Sequence, residues 1–181
     1  MEKTLRINLG CGRTLIKGFV NIDLGYDFTD KSFLKADVRE LPFEDNSVDY
    51  ILARQVLEHI NFLNIPNTLH EWIRVLKPGG RLVITCPNFL LMAEDFLKTP
   101  FSINRAYEMN QGIFGNQMGD YETHLTAITP QLLQFYLAQE PVKGTVNAYP
   151  RGSKVKVYPG YKMPKNHVYR YGEVHCDLQK V

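Results

Sequence analysis

The apolar run Ile7-Asn8-Leu9 breaks directly into Gly10-Cys11-Gly12, and a second run, Phe19-Val20-Asn21-Ile22, ends on Asp23. Only Arg13 to Lys17 lie between Gly12 and the Gly18 that opens the second run. Parallel strands are usually joined by a dozen or more residues, commonly including a helix. Here the connection holds one helical turn at most. Glycine lets a backbone pass close to a ligand, and a carboxylate can accept hydrogen bonds from both hydroxyls of a ribose. Apolar strand, Gly-x-Gly turn and strand-end carboxylate together form the layout of a nucleotide pocket.

Three further runs have strand character, so that Leu5-Leu9, Phe19-Asp23, Phe33-Asp37, Val48-Ala53 and Arg81-Thr85 form a series. With helical patterns between some of them, the series predicts a parallel α/β sheet with its ligand edge at the carboxyl ends of the strands. The best-marked helix is Asn67 to Lys77, where Leu69, Trp72, Ile73 and Leu76 share one face and Lys77-Pro78-Gly79-Gly80 is a stop signal. Further helices are expected from Arg54 or Gln55 to Asn61, from Phe89 to Lys98 with Met92 and Phe96 turned to the core, and from the Thr129-Pro130 cap to Gln139. Thr99 to Ile128 is rich in Asn, Gly and Gln and has no sustained period, which reads as a long lid or substrate loop. Beyond Pro141, alternation in Val155-Val157 and Val168-Leu178, around Pro159-Gly160 and Pro164-Lys165, suggests an antiparallel ending to the sheet. No internal repeat or second domain is evident, so residues 1–181 are read as one domain.

Composition narrows the class. With 44% hydrophobic residues the chain can fill a core, and no apolar run approaches the length of a membrane span. Cys11, Cys86 and Cys176 are odd in number and lack metal-ligand spacing, so neither a disulfide framework nor a metal site is indicated. A reducing, cytoplasmic setting follows as the expectation. The net charge of +2 conceals a basic segment: Val142 to Val181 holds eight Lys/Arg against two Asp/Glu. That segment is read as a solvated basic hairpin, with polyanion contact as the alternative.

Asp37 closes the third run in Ala36-Asp37-Val38-Arg39-Glu40-Leu41-Pro42-Phe43, a second carboxylate at a strand end. It could accept from an adenine amino group while the Val38 amide donates to the ring. Taken in order, Leu9-Gly10-Cys11-Gly12, the Ala36-Phe43 block, Asp45-Asn46-Ser47-Val48-Asp49, Val56-Leu57-Glu58-His59-Ile60 and Arg74-Val75-Leu76-Lys77-Pro78-Gly79-Gly80-Arg81-Leu82-Val83-Ile84 closely resemble the blocks of class I S-adenosylmethionine-dependent methyltransferases of the type 11 kind. The resemblance covers roughly Leu5 to Asn88. It implies a Rossmann-like, seven-stranded, mostly parallel α/β sheet with an antiparallel C-terminal strand. It also implies S-adenosyl-L-methionine lying across Asn8, Gly10, Cys11, Gly12, Asp23, Asp37 and Val38, with Arg54 and Gln55 near its sulfonium end. Members with the same compressed first crossover form a subgroup, which this chain resembles.

Two positions depart from the family pattern. Asn8 stands where an acidic residue is usual, and Thr14 where a third glycine is usual. Asn8 brings no charge to offset an ammonium group and Thr14 stiffens the turn, so weaker cofactor binding is expected. Methyl transfer chiefly requires the nucleophile to be desolvated and aligned, with a base only if it arrives protonated. His59 and His124 are the base candidates, because neutral imidazole takes a proton near pH 7. Glu58 is read as structural, and Tyr107, Phe114 and Tyr121 as lid residues. Cys86 follows the fifth strand, where a cytosine-methylating nucleophile would follow the fourth. No Asn/Asp-Pro-Pro-Tyr/Phe run is present. The reading is a methyltransferase acting on O or N of a small molecule. The alternatives are a noncatalytic cofactor-binding protein, and a nucleic-acid or polyanion modifier using the basic segment with Tyr149, Tyr158, Tyr161, Tyr169 and Tyr171. A nicotinamide dehydrogenase is disfavoured by the short interval from Gly12 to Asp23 and the missing third glycine.

Overall fold

The computed structural model describes residues 4–119, 121–152 and 172–181. Seven strands form one sheet: β1 (Arg6–Leu9), β2 (Val20–Asp23), β3 (Phe33–Lys35), β4 (Val48–Arg54), β5 (Leu76–Pro87), β6 (Val142–Tyr149) and β7 (Glu173–Lys180). Their order is β3-β2-β1-β4-β5-β7-β6. The pairs from β3 to β5 are parallel, and β7 runs antiparallel to both β5 and β6. The sheet is thus the expected Rossmann-like one with its last strand reversed. Strand order changes direction between β1 and β4, where an open α/β sheet leaves a crevice at the strands' carboxyl ends.

Among the described residues four helices accompany it: α1 (Ile65–Val75), α2 (Phe89–Lys98), α3 (Ile103–Phe114) and α4 (Pro130–Leu137). One face of the sheet carries the main core, in which Ile7, Leu9, Ile51 and Ala53 meet Leu69, Trp72 and Ile73 of α1 and Leu133 and Leu137 of α4. The opposite face holds a small cluster, Ile16, Phe19, Tyr50, Leu52 and Val83. Alternation along β4 sends Ile51 and Ala53 to the first face and Tyr50 and Leu52 to the second.

The β1–β2 connection contains no helix. Asn21 organises it: the Asn21 Oδ1 accepts from Ile16 N at 2.8 Å and from Asn8 Nδ2 at 3.0 Å, while its Nδ2 reaches the carbonyls of Ile16 and Phe19 and the Ser32 hydroxyl. Asn8 and Asn21 are both buried.

The sequence expectations need correction at several points. The helix expected over Asn67–Lys77 spans Ile65–Val75, with Pro66 in its first turn. Leu76 already belongs to β5, so the Lys77-Pro78-Gly79-Gly80 signal lies inside a strand. A register shift against Val48 and Tyr50 absorbs it. No helix runs from Arg54 or Gln55 to Asn61. Gln55 has φ of 56° and its N–H extends the ladder to Thr85 O at 2.7 Å, and the chain then forms two 3-10 turns, Leu57–His59 and Phe62–Asn64, the second leading directly into α1. The Thr99–Ile128 segment contains α3, started by Ser102, whose hydroxyl accepts from Arg105 N. Thr129 caps α4 through Leu132 N as expected, although the helix ends at Leu137. In the 142–181 segment read as a hairpin, β6 lies ahead of the alternation noted at Val155-Val157, and β7 starts at Glu173. Val155-Val157, Pro159-Gly160, Pro164-Lys165, Tyr158, Tyr161, Tyr169 and Tyr171 lie outside the described residues, as do Val168 to Tyr171 of the Val168-Leu178 alternation.

Candidate functional site

The β1 turn supplies the site's floor. Gly10 and Gly12 have φ of 57° and 52°, a left-handed backbone that glycine adopts without strain. A Cβ at Gly10 would lie 2.6 Å from Val56 Cγ2, so this glycine lets the turn close against the segment after β4. A Cβ at Gly12 would meet nothing within 4 Å, which leaves open space beside the turn. Cys11 N donates to Ile22 O at 3.0 Å, and burial pushes the Cys11 thiol up to about 11, so it is neutral lining.

Asp23 is fixed on both oxygens. Gly12 N donates to Oδ2 at 2.7 Å and Gly25 N to Oδ1 at 2.8 Å. Each oxygen retains lone-pair capacity for a further donor. Asp37, two residues past β3, is gripped by Arg39 through its N–H and its guanidinium, the Arg39 Nη2 to Asp37 Oδ2 distance being 2.6 Å. These bonds hold the Asp37 carboxyl below its ordinary value. Trp72 Nε1 donates to Val38 O at 2.8 Å, anchoring the turn to α1.

Asn8 behaves differently from the expectation. Its amide donates to Asn21 Oδ1 and to Thr14 O, so it braces the short crossover and is not presented to a ligand. Arg54 lies where its charge favours the ionised form of Glu173, toward the β7 side. Gln55 takes a conformation costly for a non-glycine residue, and its buried Nε2 has no hydrogen-bond partner among the described residues.

The segment after α3 is laced to the turn after β4. Leu125 N and Thr126 N both donate to Glu58 O, Thr126 Oγ1 donates to Ile60 O, and Thr123 O faces His59 Nδ1 at 3.0 Å. This brings His124 to His59, with ring centroids 4.8 Å apart and the rings nearly perpendicular. Burial lowers both imidazoles below their usual value, so each is neutral near pH 7. Tyr121 packs at Gly25, so the segment also reaches the loop after β2. Glu58, in the Val56-Ile60 block, is read from the sequence as structural. Its side chain is 2% exposed, both carboxylate oxygens lack partners among the described residues, and burial pushes the acid up to about 8. Cys86 is fully buried at the end of β5 and burial raises its thiol, which removes it as a nucleophile.

Residues 20–84 match the family described as "Methyltransferase domain". An uncharacterized protein of Methanocaldococcus jannaschii is 34% identical over 95 residues, covering 46% of this chain and 41% of its own length. A ubiquinone/menaquinone biosynthesis C-methyltransferase of Rickettsia prowazekii is 36% identical over 100 residues, covering 54% of this chain and 38% of its own. The chain thus spans about two fifths of these relatives. Among solved structures, a SAM-dependent methyltransferase of Methanosarcina mazei has a TM-score of 0.62 at 18% identity, with 100% of this chain and 94% of that one covered. One from Archaeoglobus fulgidus has a TM-score of 0.60 at 16% identity, with 98% and 86% covered. These structural likenesses are of fold. The fold is thus the one these SAM-dependent methyltransferases share, and the family match covers residues 20–84 of the chain.

Proposed function

We propose that this chain transfers a methyl group from S-adenosyl-L-methionine to an oxygen or nitrogen of a small-molecule acceptor. The observation that carries the reading is the β1 turn: a left-handed Gly10 and Gly12 with open space at Gly12, and Asp23 oriented by the Gly12 and Gly25 amides. Bound there, the cofactor supplies an electrophilic methyl group on a sulfonium. Asp23 accepts from ribose hydroxyls, Gly10 to Gly12 pass beneath the methionine portion, and the Asp37-Val38 turn, held by Arg39 and Trp72, borders the adenine. Gln55 offers its unpartnered amide toward the methyl end, where Arg54 contributes field more than contact. His59 and His124, neutral near pH 7, are the groups able to take a proton from an acceptor. The 115–128 segment, with Phe114 before it and Tyr121 within it, is the cover that excludes water, and residues 1–181 act as one unit.

The acceptor named for the Rickettsia relative belongs to that enzyme, of which 38% is matched. A noncatalytic cofactor-binding role is the second reading, favoured by Asn8 being committed to Asn21. Calorimetric titration with S-adenosylmethionine and its demethylated product tests both. Saturable binding is expected, weakened about ten- to a hundredfold in Asp23→Ala through loss of charge-assisted hydrogen bonds, and weakened less in Asp37→Ala. Folded protein that binds nothing at millimolar cofactor overturns the proposal. Binding without turnover across an acceptor panel moves the assignment to the noncatalytic reading.

A further inference from the structure

Glu58, His59 and His124 come together although His124 is far away in sequence. One ligand atom from each, a carboxylate oxygen and two ring nitrogens, lies within 4.8 Å of the others. Both imidazoles are set in the same way. His59 Nδ1 faces the Thr123 carbonyl and His124 Nδ1 the Gly112 carbonyl, each at 3.0 Å. A carbonyl oxygen only accepts, so in each neutral ring Nδ1 carries the hydrogen and Nε2 keeps its lone pair. No hydrogen bond is seen from His59 Nε2 to the described residues, while the His124 ring is held by the backbone of both Gly112 and Ile113. A backbone carbonyl fixing one ring nitrogen while the other stays free is the outer-shell arrangement that orients metal-ligating histidines.

The independent observation is Glu58. Its side chain is 2% exposed and neither carboxylate oxygen has a partner among the described residues, a costly state for a buried polar group. The main chain explains the position of residue 58, because its carbonyl receives Leu125 N and Thr126 N, but it gives the carboxylate no use.

We propose that Glu58, His59 and His124 form a binding site for one divalent transition-metal ion of the zinc type, ligated by a Glu58 carboxylate oxygen and the Nε2 atoms of His59 and His124. Two imidazoles and one carboxylate suit zinc, cobalt or iron better than calcium or magnesium, which favour all-oxygen shells. Ligand atoms around such an ion sit about 3.3 Å apart at bond lengths of about 2.0–2.2 Å. The three side chains therefore close inward by roughly an ångström or more on binding, a rotamer-scale movement. Three protein ligands leave a coordination position open to water or an acceptor oxygen. The site rests on the cluster alone and not on methyl transfer, but a ligated Nε2 has no lone pair left for a proton, so a loaded site excludes these two histidines as bases.

The test uses the full chain stripped with a chelator. Zinc is added in equilibrium dialysis, and cobalt is added in parallel to report coordination through its visible absorption. One zinc per chain is expected, with cobalt bands of four- or five-coordinate intensity. Glu58→Gln and His124→Asn should each weaken zinc binding at least tenfold, and His70→Asn, at an exposed histidine paired with Glu140, should leave it unchanged. Absence of stoichiometric binding overturns the proposal, as does binding that survives in both ligand variants or falls equally in His70→Asn. Circular dichroism establishes that each variant is folded. Should a variant unfold, paramagnetic shifts of the His59 and His124 ring protons in the cobalt-loaded wild-type chain decide the ligands, and unshifted rings overturn the site. S-adenosylmethionine titration of stripped and loaded protein is scored separately, so failure of the metal site and failure of the methyltransferase reading are distinguishable.

Discussion

The β1–β2 and β4–β5 connections each join neighbours or near neighbours in the parallel part of the sheet, but they are built from opposite materials. Between β4 and β5 the chain forms α1, whose Ile65, Leu69, Trp72, Ile73 and Val75 are buried in the main core. That connection is held by area removed from water, as an amphipathic helix usually is. Between β1 and β2 there is no helix, and only Ile16 and Phe19 cover Tyr50, Leu52 and Val83 on the second face. Here the polypeptide is held by buried amides: Asn21 satisfies Ile16 N, and Asn8 supplies the donor that Asn21 Oδ1 and Thr14 O require. The comparison gives Asn8 a physical reason. Where the family usually has an acid, this compressed crossover presents two acceptors, and a carboxylate can donate to neither.

If the helical connection is held by apolar burial, truncating its largest side chain should have the largest effect. Trp72→Ala is expected to cost about 3–5 kcal/mol in urea unfolding. Trp72→Phe keeps most of the burial but loses the bond to Val38 O, so a cost of about 1 kcal/mol and looser cofactor binding are expected. Unchanged cofactor affinity in Trp72→Phe would disconnect α1 from the Asp37-Val38 turn. The polar connection should break by a change of charge at constant size. Asn8→Asp restores the family's usual residue type, yet it places an acceptor against Asn21 Oδ1 and Thr14 O in a position 4% exposed. A loss of about 1–3 kcal/mol, without any gain in cofactor affinity by calorimetry, is expected. Tighter cofactor binding in Asn8→Asp would show that the amide's bracing role is secondary.

Much of this was legible because it is local. Leu69, Trp72 and Ile73 announce α1 by their spacing, Thr129-Pro130 announces α4, and the strand-end positions of Gly10, Gly12, Asp23 and Asp37 follow from alternating apolar runs and turns. The antiparallel ending is visible as alternation and as the hairpin read over 142–181, whose first strand falls at Val142–Tyr149. Misreadings arose where a long-range bond overrode a local signal. Gln55 extends the ladder to Thr85 and adopts a positive φ, which prevents the helix its neighbours favour. Lys77-Pro78-Gly79-Gly80 stops helices by composition, but pairing from Leu76 onward draws it into β5. In the site, the residue types were readable while their hydrogen bonds were not. Asn8 is expected at the ligand, and its amide is hydrogen-bonded to Asn21. His124 reaches His59 only through the lacing of Thr123, Leu125 and Thr126 onto the turn after β4.

The smallest effect provides the sharpest discrimination, because it makes the same chemical edit in the other connection. Thr68 lies on α1, 1% exposed, and its hydroxyl donates to Asn64 O four residues earlier at 2.9 Å. That carbonyl stands at the start of the helix, where position i+4 also offers it a backbone donor, so the hydroxyl bond supplements the ladder. Thr68→Val removes one buried side-chain hydrogen bond at nearly constant volume, strands no donor, and adds apolar surface to a face already held by burial. A change within about 1 kcal/mol of zero in urea unfolding is expected. Asn21→Leu also deletes buried polar contacts, but it leaves the Ile16 amide without its acceptor and the Asn8 amide with Thr14 O alone, and should cost more than Thr68→Val. Equal losses at the two positions would mean that both connections depend on their buried hydrogen bonds alike, and the division between a polar and an apolar crossover would fail.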